Sequence, residues 1–131
     1  MSLIKKCIID KDVSYKPIWL MRQAGRYLPE FRDIRKKNQN FINLCLNSEL
    51  TSEITLQPVK RFDLDSAIIF SDILMVPYAL NQKVEFLKNH GPKLENFNLN
   101  NFLKNNDIDF IERLQPVYKA IEITRKRLNK E

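Results

Sequence analysis

The sequence is poor in the residues that form turns and metal sites. Only Gly25 and Gly91 occur among its 131 residues, whereas glycine averages roughly 7% of proteins. Hairpins with glycine-dependent turns are therefore not expected, and helices with short connections are favoured. There is one histidine, His90, and two cysteines, Cys7 and Cys45, far apart in the chain. Because a structural zinc site takes four such ligands, no metal centre is predicted.

The chain also lacks any apolar run of the 18 or more residues that a membrane-spanning helix needs. Its N-terminus has neither the apolar core nor the cleavage site of a signal peptide. Unpaired thiols fit a reducing compartment, so a cytoplasmic protein without a membrane partner is predicted. The net charge of +6 comes from scattered lysines. The one basic cluster, residues 125–127, falls at a predicted helix C-terminus, where cations are favourable, so no nucleic-acid partner is predicted.

Apolar residues at helical spacing predict a largely helical chain. Helices are predicted over residues 2–9, 29–37, 41–46, 49–62 and from about 110 onwards. Ser48 is the predicted N-cap of the fourth helix, and Pro58 is expected to kink it. Residues 83–87 alternate in polarity and predict a short strand, followed by a turn at residues 90–92 that makes His90 a surface-loop residue.

Two short apolar runs, residues 17–21 and 66–70, are typical of buried strands. Their alternation with helices predicts an α/β fold with parallel strands. Arg22 follows the first run and Asp72 follows the second. In a TIM barrel the chemistry lies at the C-terminal ends of the strands, so both side chains are expected on one rim. Asp72 has a second interpretation, as a cap of the next helix or a partner of a lysine.

Arg22 and Arg26 are separated by Gln23, Ala24 and Gly25 in a predicted turn between strand and helix. Each guanidinium offers five donors in a planar fork that suits carboxylate or phosphate. Gly25 allows a tight turn or the close approach of a ligand. The turn is therefore a candidate anion-binding site.

A second interpretation of these arginines stays open on the residues alone. Arg22 and Arg26 could be exposed on a helix and paired with Glu30 and Asp33, since surface ion pairs are common and weak. Arg35, on the helix that follows, either joins the cationic cluster or lies on a solvated helix face.

The run from Arg22 to Glu30 resembles the N-terminal hallmark of the uroporphyrinogen decarboxylase family. That hallmark is an Arg-Gln-Ala-Gly-Arg-Tyr-Leu-Pro-Glu run after a short apolar strand, and it is reproduced here without a departure. The similarity continues through Ser66 to Leu74 and, more loosely, through residues 121–125. It covers nearly the whole chain but only about the first third of the family's usual length.

The resemblance implies that residues 1–131 are an N-terminal fragment of a TIM (β/α)8 barrel domain with only about the first two barrel strands present. A complete barrel takes roughly 250 residues, and two strands cannot close it. The chain is then a fragment, a truncated gene product or one part of a split enzyme. Full-length family members are typically homodimers with facing clefts.

The implied activity is that of a carboxy-lyase of haem biosynthesis that needs no cofactor or metal. It removes the four acetate carboxyls of uroporphyrinogen III to give coproporphyrinogen III. Asp72 falls on the aspartate with which the family binds the pyrrole NH groups, and it is the catalytic candidate. The implied substrate-binding residues, which hold the anionic tetrapyrrole together with Asp72, are Arg22, Gln23, Ala24, Gly25, Arg26 and Arg35.

Two alternatives accompany this hypothesis. The chain could be a non-catalytic fragment that binds an anionic tetrapyrrole or a complementing chain. It could instead belong to the related corrinoid-dependent methyltransferases, which share the barrel. Those proteins are expected to lack the double-arginine turn, so the intact turn argues against them.

Overall fold

A computed structural model describes residues 2–21, 24–87, 91–104 and 106–128. This part of the chain is a mixed α/β structure, mostly helical, with one two-stranded antiparallel sheet. The elements are α1 (Leu3–Ile9), α2 (Pro29–Lys37), α3 (Phe41–Cys45), α4 (Ser48–Phe62), α5 (Met75–Ala79), β1 (Val84–Leu87), β2 (Gly91–Leu94), α6 (Leu99–Leu103) and α7 (Asp107–Arg127). None of the described helices combines the length and the apolarity needed to cross a bilayer.

The first four predicted helices are confirmed to within one residue at each end. The last helix was placed too late, because it begins at Asp107. Asn106 caps it, with a side chain that accepts a hydrogen bond from Asp109 N at 2.8 Å. The asparagine-rich stretch that obscured this start therefore contains the cap itself, in agreement with the preference for Asn at N-caps.

Helix α4 has a different N-cap from the predicted one. Asn47 is the cap, and its side chain accepts a hydrogen bond from Leu50 N at 3.0 Å. Ser48 is the first helical residue, and its Oγ donates to the carbonyl oxygen of Pro116 in α7 at 2.8 Å. Both residue types are good caps, so the local sequence did not distinguish them. The Ser48 hydroxyl is instead used in the hydrogen bond to α7.

Helix α4 is the centre of the packing and contacts α2, α3 and α7. Its middle is buried from Ile54 to Val59, and it continues through Pro58 to Phe62. One apolar cluster joins α4 to α2 and α3 and consists of Leu28, Phe31, Leu44 and Ile54. A second joins α3, α5 and α7 and consists of Cys45, Met75, Ala79 and Leu114. The half-buried Phe70 packs against both clusters.

The strand predicted at residues 83–87 is confirmed as β1, but the turn predicted after it was wrong in part. Gly91 and Pro92 belong to β2, in which Gly91 pairs with Leu87 and Pro92 with Phe86; His90 lies outside the described residues. Gly91 has a φ of +76°, in the region that glycine adopts without strain. The expectation that glycine-dependent hairpins are absent is therefore wrong, because Gly91 begins the second strand of the β1–β2 hairpin with a positive φ.

The two predicted parallel strands are not formed. Residues 17–21 and 66–70 have no strand assignment and do not pair in a ladder. They are held together by Asp65, whose backbone N donates to Ile18 O at 2.8 Å and whose Oδ2 accepts from Ile18 N at 2.7 Å. Met21 is 80% exposed. Because parallel strands need neighbours on both faces and edges, two apolar runs without such neighbours do not make a sheet.

A hydrogen bond to Thr55 of α4 holds the segment that precedes Asp72. Thr55 Oγ1 accepts a hydrogen bond from Phe70 N at 2.9 Å and donates to Thr51 O at 2.7 Å. Thr55 is completely buried. Its hydroxyl therefore satisfies a backbone N–H that would otherwise have no water to bind.

We expect Thr55→Val to reduce the free energy of unfolding by about 2 kcal/mol, because Phe70 N–H then loses its acceptor. Amide exchange at Phe70, followed by NMR, should accelerate in Thr55→Val relative to the amides of α7. Thr55→Ser is the control, since it keeps the hydroxyl and should retain the protection of Phe70. Equal Phe70 protection in the two variants would contradict this role for the hydroxyl.

Candidate functional site

A cleft of about 820 Å³ opens between α2, the β1–β2 hairpin and the loop that precedes α5. The charged side chains that line it are mostly basic. One carboxylate, that of Asp72, faces it together with four basic side chains, Arg26, Arg32, Arg35 and Lys36. Such a surface favours anionic ligands, since clefts lined by one sign of charge concentrate the opposite sign.

Three aromatic side chains line the cleft and form its aromatic floor, namely Phe31, Phe41 and Phe86. The ring of Phe41 lies 5.0 Å from that of Phe86 and 5.8 Å from that of Phe70. The ring of Phe31 lies 5.7 Å from that of Phe70. These edge-to-face contacts are a favourable geometry for aromatic pairs. They fasten α2, α3, the 66–70 segment and β1 around a single apolar surface.

Helix α2 supplies most of the positive charge and is anchored at its N-terminal end. Pro29 occupies the first turn, as the sequence predicted. Glu30 accepts two hydrogen bonds from Arg61 of α4, at 2.9 Å from Nε and 2.8 Å from Nη2. These hydrogen bonds lower the pKa of the Glu30 carboxyl. The described partner of Glu30 is thus Arg61, and that of Asp33 is Lys36. The surface-pair interpretation also involved Arg22, which lies outside the described residues.

Arg35 lies in the cleft and also terminates α2. Its Nη1 donates to the backbone carbonyl oxygens of Asn38 and, at 2.6 Å, of Gln39. Its guanidinium sits 5.4 Å from the centre of the Phe41 ring, within the range of a cation–π contact. Arg35 therefore has a fixed position, because its Nη1 and the face of its guanidinium are engaged by the protein. These two hydrogen bonds do not use the donors of Nε and Nη2.

Asp72 also lines the cleft and is half-buried. Its Oδ1 accepts a hydrogen bond from Leu74 N at 2.9 Å, and its carbonyl oxygen accepts from Met75 N at 3.1 Å. The interpretation of Asp72 as the cap of the next helix is wrong, because Leu74 is the N-cap of α5 and α5 has no side-chain cap hydrogen bond. Asp72 instead stabilises the turn that precedes α5. A carboxylate has about four acceptor positions, and this contact uses one of them.

The predicted turn is described from Ala24 onwards, and Arg22 and Gln23 lie outside the described residues. Gly25 and Arg26 line the cleft, whereas Ala24 packs against the apolar cluster around Leu28. A Cβ at Gly25 would lie 3.0 Å from Cε1 of Tyr27. A side chain at this position would therefore make a tight contact, and the Tyr27 ring would have to move by a few tenths of an ångström to accommodate it.

Sequence reasoning missed three residues of the site. Arg32 and Lys36 line the cleft together with Arg35, and their spacing of three and four residues on a helix places them on one face. That spacing was readable in the sequence once α2 was assigned. Cys45, which lies behind the cleft, carried no such signal.

Cys45 is fully buried and near both Asp72 and Arg35. Burial and, to a lesser extent, the charge of Asp72 raise the pKa of its thiol to about 12, although Arg35 acts in the opposite direction. The thiol is therefore neutral at physiological pH. In the described part of the chain, no three Asp, Glu, His or Cys side chains are grouped as a metal site requires.

A cationic cleft with an aromatic floor and one oriented carboxylate defines a domain suited to a polyanionic ligand with an apolar body. The family model described as uroporphyrinogen decarboxylase (URO-D) matches residues 1–131. The chain belongs to the uroporphyrinogen decarboxylase family, which confirms the resemblance drawn from Arg22 to Glu30. Family membership implies that the fold is a portion of a TIM barrel.

Curated relatives agree with this assignment. The chain is 47% identical over 121 residues to a uroporphyrinogen decarboxylase of Agrobacterium fabrum, covering 92% of the chain and 35% of the relative. It is 49% identical over 116 residues to that of a Chelativorans species, covering 88% and 34%. It is 42% identical over 128 residues to that of Brucella ovis, covering 98% and 38%. The chain thus spans about a third of the length of these relatives and corresponds to an N-terminal portion.

The position of Cys45 predicts unequal reactivity of the two thiols. In a Cys7→Ser variant, we expect no reaction of folded protein with Ellman's reagent at pH 8, because a thiol with a pKa of about 12 has almost no thiolate at that pH. In guanidinium chloride one thiol should react. Since the raised pKa favours the protonated folded state, stability should also fall as the pH rises from 9 towards 12. Rapid reaction of the folded variant would contradict this burial.

Proposed function

We propose that residues 1–131 act as the N-terminal part of a uroporphyrinogen decarboxylase barrel domain. The reaction removes the four acetate carboxyls of uroporphyrinogen III and yields coproporphyrinogen III in haem biosynthesis. The observation that supports it is the meeting of Gly25, Arg26, Arg35 and Asp72 at one cleft, although they are distributed over three separate segments. The homodimer and the cytoplasmic location typical of the family are part of the same proposal.

The charges of the cleft match those of such a substrate. Uroporphyrinogen carries eight carboxylates, and guanidiniums bind carboxylates through paired, charge-assisted hydrogen bonds. We assign Arg26 and Arg35 to this role, together with Arg22 of the same turn. Gln23, Ala24 and Gly25 would contribute through the backbone of the turn. The aromatic floor formed by Phe41 and Phe86 offers an apolar surface for the pyrrole rings.

Asp72 is the proposed catalytic residue. Its carboxylate would accept hydrogen bonds from the pyrrole NH groups and so orient the macrocycle. Protonation of a pyrrole ring creates a positive charge, which the carboxylate stabilises by electrostatic preorganisation. The bond between the acetate CH2 and its carboxyl then breaks, its electron pair neutralises the ring, and carbon dioxide leaves. A proton added to the CH2 carbon completes the methyl group, and the proton first added to the ring leaves and restores the pyrrole. The reaction therefore consumes one proton for each carbon dioxide released and needs no external oxidant or reductant.

The direct test is anaerobic incubation of the purified chain with uroporphyrinogen III, with products separated by carboxyl number. Products with seven to four carboxyls, reduced about 100-fold in Asp72→Asn, would establish that this chain by itself holds a working site, since 100-fold is the loss typical of removing one such stabilising group. Asparagine keeps the oxygen that binds Leu74 N, so the fold should survive. Asp10→Asn, an exposed residue at the end of α1, is the control and should leave the rate unchanged.

A second candidate function is non-catalytic binding of an anionic tetrapyrrole or of a complementing chain. It is favoured by the exposed apolar residues of the 18–21 run, in which Ile18 is 59% and Trp19 is 50% exposed. A folded chain that binds tetrapyrrole without turnover would support this candidate over the first. Adding the C-terminal two thirds of a relative as a separate chain then distinguishes a protein that only binds tetrapyrrole from one that needs a complementing chain. Restored decarboxylation indicates a complementing chain, and continued inactivity indicates a binding protein.

A further inference from the structure

Helix α2 presents more positive charge to the cleft than the proposed reaction site uses. Arg32, Arg35 and Lys36 line the cleft from successive turns of this helix. Only Arg35 among them belongs to the residues assigned above. Asp72 is the one acidic residue among the described residues that line the cleft, so the two further cations are not balanced there.

The two additional side chains are also less engaged than Arg35. Arg32 Nη1 lies 3.5 Å from the carbonyl oxygen of Arg26, which is long for a hydrogen bond. Lys36 Nζ lies 3.5 Å from Asp33 Oδ1, and the two side chains are 77% and 66% exposed. Exposed pairs of this kind contribute little. Either cation can therefore turn to an incoming anion at small cost, whereas Arg35 is held by two carbonyls and an aromatic ring.

We propose that Arg32 and Lys36 form a second carboxylate-binding subsite, which holds carboxylates of the tetrapyrrole other than the one that reacts beside Asp72. This inference rests on the proposed function. Three arginines pair with at most three of eight carboxylates, so the remainder need other cations. A guanidinium takes one carboxylate through a two-pronged contact, and an ammonium serves as a mobile point charge. The subsite would select for tetrapyrroles with many carboxylates and keep the macrocycle in one orientation.

The chain offers a matched control for this subsite. Lys37 follows Lys36 on the same helix, is exposed, and is not part of the cleft lining. Lys36→Gln and Lys37→Gln therefore change the net charge equally at neighbouring positions. Lys36→Gln also removes the exposed pair with Asp33, which contributes little. Arg125 of α7 is likewise exposed and outside the cleft lining, so Arg125→Gln serves as the control for Arg32→Gln.

The experiment measures binding of uroporphyrin III, the oxidised form with eight carboxylates, by fluorescence titration at several salt concentrations. We expect Kd to rise about threefold in Lys36→Gln and in Arg32→Gln, as for an exposed ion pair, and about tenfold in the double variant. The dependence of Kd on salt should become weaker in these variants, and Lys36→Arg should restore affinity. Coproporphyrin, with four carboxylates, should show smaller effects.

The outcomes separate the subsite from the proposed function. If the folded chain binds neither porphyrin, the proposed function fails and the subsite fails with it. If uroporphyrin binds but Lys36→Gln matches Lys37→Gln and Arg32→Gln matches Arg125→Gln, only the subsite is overturned. Equal losses in all four variants would indicate attraction to the overall charge and would also overturn it. Circular dichroism of each variant establishes that the fold is unchanged.

Discussion

Phe70 packs edge-on against Phe31 of α2 and Phe41 of α3, and the geometry of the cleft depends on this contact. This contact joins the segment that carries Asp72 to α2, which carries Arg35, and to α3, which carries Phe41. Thr55 fixes the same residue through its backbone N–H. Asp72, two residues further along the chain, consequently lines the same cleft as the basic residues of α2.

The electrostatics of the site follow from that arrangement. Burial keeps the Cys45 thiol neutral, so the charges near Asp72 are the basic residues of the cleft. Arg35 is immobilised by carbonyl oxygens and by the Phe41 ring, whereas Arg32 and Lys36 are exposed and weakly paired. One wall of the cleft thus combines a fixed cation with adaptable ones. Such a combination suits a ligand that carries several anionic groups.

The surface outside the cleft reflects the share of the family's length that the chain spans. The apolar residues of the 18–21 run are exposed, and the runs predicted as parallel strands form no ladder. A parallel strand gains its stability from neighbours on both sides and from helices on both faces. The relatives are about three times as long as the matched region, and additional strands of a barrel are the kind of neighbour that such runs require.

The sequence by itself determined the first four helices, since apolar spacing and the start at Pro29 are local properties. It also determined the family, through the run from Arg22 to Glu30. It also indicated Asp72 and Arg35 through the resemblance. Only the tertiary structure decided that Asn47 caps α4, that Gly91 opens a strand of a hairpin, and that the two apolar runs form no sheet. It likewise brought Arg32, Lys36 and Cys45 to the site. These outcomes depend on contacts between distant segments, which local pattern does not encode.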